Sequence, residues 1–166
     1  MYERSVAAII FLTRFCVGIA FALMIASVLI QVIGRTAGSS PVWTEELTRF
    51  ALLYMVALGV GLSLRTGDLV NVDIVCESLP KPLPFVLRLI SALIMLGFSL
   101  LLIPEAFKFF SIGAFQKSPA MGMRMDIMHA TTIVLLALLG VFALIRVVDM
   151  LRGKDKGPHH FEGSIE

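Results

Sequence analysis

FCVGIAFALMIASVLIQVI, residues 15–33, is the stretch that decides the fold class. Ser27 and Gln31 are its only polar side chains. As a helix these residues reach roughly 28 Å, the thickness of the hydrocarbon layer of a bilayer. A cleaved leader has a shorter apolar region, about 7–15 residues, followed by an A-x-A-like site. This run is longer and ends in Gln31-Val-Ile-Gly-Arg35, so a retained membrane helix is expected. The whole chain agrees. It has 166 residues, 58% hydrophobic and 16% charged, whereas a soluble domain carries about a quarter charged residues.

Three more apolar blocks follow: Phe50–Leu64, Leu89–Pro104 and Ala130–Ile145. The second helix is expected to start upstream, with Ser40 as N-cap, Pro41 at the first helical position and Glu45 and Glu46 in the first turns, beside the positive end of the dipole. Pro104 marks a kink. Arg49, Arg65, Arg88, Lys108 and Arg146 flank the blocks and can snorkel to the surface. The reading is an all-α integral membrane protein with spans at about 12–34, 42–65, 85–110 and 127–149, in one domain, 1–152, followed by a polar tail, 153–166. With the N-terminus inside, cytoplasmic segments hold Arg4, Arg14, Arg65, Lys81, Arg88, Arg146, Arg152, Lys154 and Lys156. The other side holds Arg35, Arg49, Lys108, Lys117 and Arg124. Nine against five predicts both termini in the cytoplasm.

The connection between the second and third spans differs from the others. In residues 69–79, Leu69, Val72, Val75, Cys76 and Leu79 share one helical face, and Pro80, Pro82 and Pro84 end the pattern. A short amphipathic helix lying at the interface is expected. Val70, Val72 and Ile74 also alternate as in a strand, but a lone strand beside a membrane leaves its backbone unpaired.

Absences narrow the function. The centres of the four blocks contain no Asp, Glu, Lys, Arg or His. Carriers and proton relays place such groups deep in their spans. His129 is the one histidine near a span, and a haem bundle needs axial ligands within the helices. Cys16 and Cys76 are far apart and match no metal or redox spacing. No triad, zinc motif or phosphate loop is present, so no enzyme, cofactor or metal is expected. The net charge of +2 and the lack of a basic stretch exclude a nucleic-acid partner. Small residues recur at four-residue spacing: Gly18, Ala22 and Ala26 in the first span, Ala57 and Gly61 in the second. Such lines let helix backbones approach closely, within this chain or against a partner.

The polar residues concentrate in Trp43-Thr-Glu-Glu-Leu-Thr-Arg49, with Gln31 and Arg35 upstream. Arg49 lies four residues from Glu45 and three from Glu46, so it can pair with either on a helix. Trp43 suits the headgroup belt. On spacing alone this is an interfacial cap with ordinary ion pairs.

The order of these features resembles a known family. Gln31-x-x-x-Arg35, Trp43-Thr-Glu-Glu-x-x-Arg49, Leu58-Gly59, Arg65-x-Gly67, Val72-Asp73, Leu79-Pro80 and Ser118-Pro-Ala-Met-Gly-Met are similar to the small membrane subunit of tripartite ATP-independent periplasmic (TRAP) transporters. Asp68 stands where that family often has histidine. The resemblance implies a four-helix subunit in the inner membrane that holds no substrate. It implies as partners a large, sodium-coupled membrane subunit, a periplasmic substrate-binding protein and membrane lipids. The cargo implied is an organic acid of the C4-dicarboxylate or sialic acid class. By the same analogy Gln31, Arg35, Trp43, Glu45, Glu46 and Arg49 fix one end of the first two helices. Arg65 is a partner or structural candidate, and Asp73 helps hold the interfacial helix. Two other classes fit the residues: a small oligomeric channel or carrier, and a membrane assembly protein with no transport role.

Overall fold

The computed structural model describes residues 2–39, 41–66 and 83–152. The expected interfacial helix at 69–79, Asp73, the Ser40 cap and the tail 153–166 lie outside the described residues. The rest is helical. α1 spans Tyr2–Thr36, α2 Trp43–Thr66, α3 Leu83–Gly113 and α4 Asp126–Leu151, and each is long and apolar enough to cross a membrane. Among the described residues no strand forms, only a single antiparallel bridge between Lys117 and Arg124.

Helix α1 begins well before the 15–33 block. Thr13 does not interrupt it, because its hydroxyl donates to the Ile9 carbonyl 2.8 Å away. At the other end the Ser39 N–H bonds the Gly34 carbonyl and the Gly38 N–H bonds the Arg35 carbonyl. This is a Schellman stop, with Gly38 in the left-handed region at φ +77. Gly34 is required there too, since a Cβ would sit 2.6 Å from the Ser39 oxygen and 2.8 Å from the Pro41 ring. Helix α2 then opens at Trp43, two residues past Pro41, with Glu45 and Glu46 in its first turn.

The helices form an open row. α1 packs on α2, α2 on α4, and α4 on α3. Helix α4 is the most enclosed of the four, with 39% of its span buried against 11% for α1 and for α3, which places those two at the edges. Seven-residue repeats build the seams. On α1 the buried line is Val6, Thr13, Ala20 and Ser27. On α3 it is Ala92, Ser99, Ala106 and Gly113. This spacing is the register of left-handed helix pairs. Every residue of the α3 line is small, so its backbone lies close to α4. The Ser99 hydroxyl donates across the seam to the Leu136 carbonyl at 2.5 Å, and a Cβ on Gly140 would stand 2.9 Å from the same oxygen.

The densest packing lies toward the terminal end, where Val6, Leu64, Phe142, Ala143 and Ile145 form one buried cluster. Gly61 makes room for it: a Cβ there would come 2.6 Å from the Phe142 ring and 3.1 Å from Leu138. Ala57 is 1% exposed on the same helix, so Ala57 and Gly61 face the chain's own interior. Gly18, Ala22 and Ala26 do not. All three are exposed, and nothing lies within 4 Å of a Cβ built on Gly18. On the helical wheel they stand opposite the Val6–Ser27 seam. The α1 small-residue line therefore plays no part in internal packing, because heptad positions already join α1 to α2.

Candidate functional site

The connections that follow α1 and α3 lie at the same end of the row, and the polar residues gather there. Two helices, α2 and α3, converge on the start of α4. Tyr54 of α2 donates its hydroxyl to the Ile127 carbonyl at 2.7 Å. His129 places Nδ1 2.8 Å from the Phe109 carbonyl of α3. A carbonyl only accepts, so Nδ1 carries the proton. The imidazole also stacks on the Phe109 ring, with centroids 3.9 Å apart and planes 16° from parallel. Gly113 permits this approach, because a Cβ there would lie 2.5 Å from Nδ1. Asp126 bonds the Ile127 N–H at 2.9 Å and pairs with Arg124 at 2.6 Å.

The residues singled out from sequence divide between contact and exposure. Gln31 and Glu45 meet: the amide Nε2 donates to Oε1 at 3.2 Å, tying α1 to α2. Trp43 opens α2 and is 40% exposed, and Arg35 and Arg49 are exposed. Arg65 lies in the last turn of α2. Arg49, expected to pair with Glu45 or Glu46, makes no direct ion pair with either, though its charge acts on Glu46. Ion pairs at this end join Lys108 to Glu105 at 2.7 Å and Arg124 to Asp126. Glu46 instead turns toward the 114–125 connection. It accepts the Ser118 hydroxyl, the Ala120 N–H at 3.3 Å and the Met121 N–H at 3.1 Å. These donors lie within hydrogen-bond distance of the carboxylate, and Arg49 acts on it through its charge and not through a direct bond.

Sequence reasoning did not find Tyr54, His129 or the Ser118–Met121 turn as contacts. Ile127 is 73 positions from Tyr54 and Ser118 is 72 from Glu46, so no local spacing joins them. The α3 line carries a signal, the seven-residue recurrence of small residues, which four-residue spacing does not reveal. Among the described residues no group of three or more His, Cys, Asp or Glu could hold a metal ion. At the opposite end Arg146 donates to the Leu64 carbonyl at 3.2 Å. That carbonyl belongs to the last turn of α2, where helix carbonyls lack internal partners.

Four apolar helices with their polar residues gathered at the ends fit one sequence family. The model of the family described as tripartite ATP-independent periplasmic transporters, DctQ component, matches residues 24–153, well over half of the chain. The chain belongs to this family. It is a multi-pass membrane protein and a component of a TRAP transporter, and it works with other components of that system. Among curated proteins no relative matches it significantly.

Proposed function

We propose that the chain is the non-conducting scaffold of its transporter. It anchors a large sodium-coupled subunit in the inner membrane, with both termini in the cytoplasm. A periplasmic binding protein delivers the substrate, an organic acid of the C4-dicarboxylate or sialic acid class.

One observation carries the scaffold role. The polar groups buried along the spans are already engaged by backbone carbonyls: Thr13 with Ile9, Ser27 with Leu23, Ser99 with Leu136 and Thr131 with Met128. Among the described residues no buried side-chain nitrogen or oxygen lacks a partner. A conduit for an acid needs uncommitted donors or charges at depth, and these helices offer none in their described interior. The outward line Gly18, Ala22 and Ala26 supports an anchoring role. Helices associate in lipid by close packing of small residues, since lipid tails are as apolar as leucine. We assign this face of α1 to the large subunit.

Reconstitution tests the scaffold role. The large subunit with its binding protein should take up substrate only when this chain is present. Full sodium-driven uptake without it would overturn the proposal.

A further inference from the structure

Four carboxylates stand at the connected end, and three take a direct hydrogen bond from a charged or amide side chain. Glu45 takes the Gln31 amide, Glu105 takes Lys108 and Asp126 takes Arg124. Glu46 is different: its hydrogen-bond donors are one hydroxyl and two backbone N–H groups from a single turn. Oε2 accepts the Ser118 hydroxyl and the Met121 N–H, and Oε1 accepts the Ala120 N–H.

That turn is built without Glu46. Ser118 donates its N–H to the Met123 carbonyl at 2.8 Å, and its own carbonyl accepts the Gly122 N–H at 3.0 Å. The Met121 N–H also reaches the Ser118 hydroxyl at 3.1 Å. Gly122, at φ +66, supplies the left-handed residue that closes the turn. The Met125 N–H bonds the Gln116 carbonyl, and Lys117 bridges Arg124, so the flanks are also tied. Successive N–H groups converging on one point in such a turn make an anion-binding concavity. The turn's own hydrogen bonds hold these donors toward the carboxylate from α2.

We infer that residues 118–121 form a carboxylate receptor whose resident ligand is Glu46, and that this clasp positions the α3–α4 connection in the assembled transporter. The second part rests on the proposed function; the first does not. The clasp holds Ser118 inward at 3% exposure while Phe115, two residues past α3, stays 92% exposed beside the exposed Lys117. Without Glu46 the turn keeps its shape but loses its tie to α2, and Phe115 and Lys117 lose their fixed place.

Amide hydrogen exchange on the purified full-length chain tests the receptor. In Glu46→Ala the Ala120 and Met121 amides should exchange roughly tenfold faster, the size of one lost hydrogen bond. Millimolar formate should restore protection by filling the vacated site, and equal chloride should not. The double variant Glu46→Ala/Ser118→Ala, lacking one donor, should respond to formate much less. Unchanged exchange in Glu46→Ala, restoration by chloride as well as by formate, or equal rescue of the double variant would overturn the receptor. Uptake by the reconstituted complex tests the positioning. Glu46→Ala should transport more slowly than wild type and recover in formate; unchanged uptake with altered exchange would overturn that part. Failure of the wild-type chain to co-purify with a larger membrane subunit would defeat the proposed function alone and leave the exchange results standing.

Discussion

Helices α1 and α3 hold equivalent places at the two edges of the row, yet their outward faces are built from different residues. The face of α1 carries Gly18, Ala22 and Ala26, with Phe15 and Leu29 beyond them. The face of α3 carries Ile90, Ile94, Leu101 and Ile112, all large and all exposed, with the exposed Gly97 among them. Lipid chains conform to large apolar side chains at no cost, whereas a line of small residues leaves a groove that a second helix fills better. The edges therefore differ in what they suit. The inner faces differ as well. α3 meets α4 through its small line, and α1 meets α2 through the mixed line Val6, Thr13, Ala20 and Ser27. Position in the row does not dictate chemistry; the phase of the small residues relative to the seam does.

The largest expected effect comes from filling the groove on α1. Gly18→Leu/Ala22→Leu should reduce co-purification with the large subunit at least about tenfold, the scale of losing packing at the centre of an interface. It should leave thermal unfolding of the isolated chain nearly unchanged, because nothing lies within 4 Å of a Gly18 Cβ. Undiminished assembly would erase the distinction between the edges.

A second test turns the same kind of substitution inward. Gly61→Leu drives side-chain atoms into Phe142, which is 0% exposed and has no room to yield. Overpacking of this kind costs about 1–3 kcal/mol, so the isolated chain should unfold earlier in a denaturant titration. Equal stability of Gly61→Leu and wild type would contradict the packing of α2 on α4.

Ser99→Ala removes the hydroxyl bond that Ser99 makes across the α3–α4 seam. Interhelical bonds of this kind are worth about 0.6 kcal/mol on average in membrane proteins, and the same titration should show a loss of that order. The smallest effect belongs to the outer face of α3. Leu101→Ala, at a residue 71% exposed, should change stability by no more than about 0.5 kcal/mol and leave co-purification intact. A clear loss of assembly there would move the interface from α1 to α3.

The four helices were legible because length and apolarity alone decide whether a segment can cross a bilayer. The stop of α1 was legible less completely. Gly38 marks it, but the need for glycine at 34 depends on Ser39 and Pro41 folding back over it. Ala57 and Gly61 pack within the chain, while Gly18, Ala22 and Ala26 carry the same spacing and face outward. Spacing places residues on a common face but does not say which face the neighbour covers. The polar end shows the same limit. Gln31 and Glu45 meet across a short connection, and helix spacing allows Arg49 to pair with either Glu45 or Glu46. The donors that take Glu46 belong to a turn far along the chain.

The amino-acid sequence by itself determined that this protein lives in a bilayer, how often its helices cross and where its polar residues collect. Those outcomes follow from the hydration cost of charges and backbone groups, which is settled within each segment. Only the tertiary structure decided the order of the helices in the row, the outward turn of the α1 small residues and the capture of Glu46 by the Ser118–Met121 turn. Each depends on which surfaces fit at distances of a few ångströms, and that fit involves residues too far apart in the chain for local pattern to relate them.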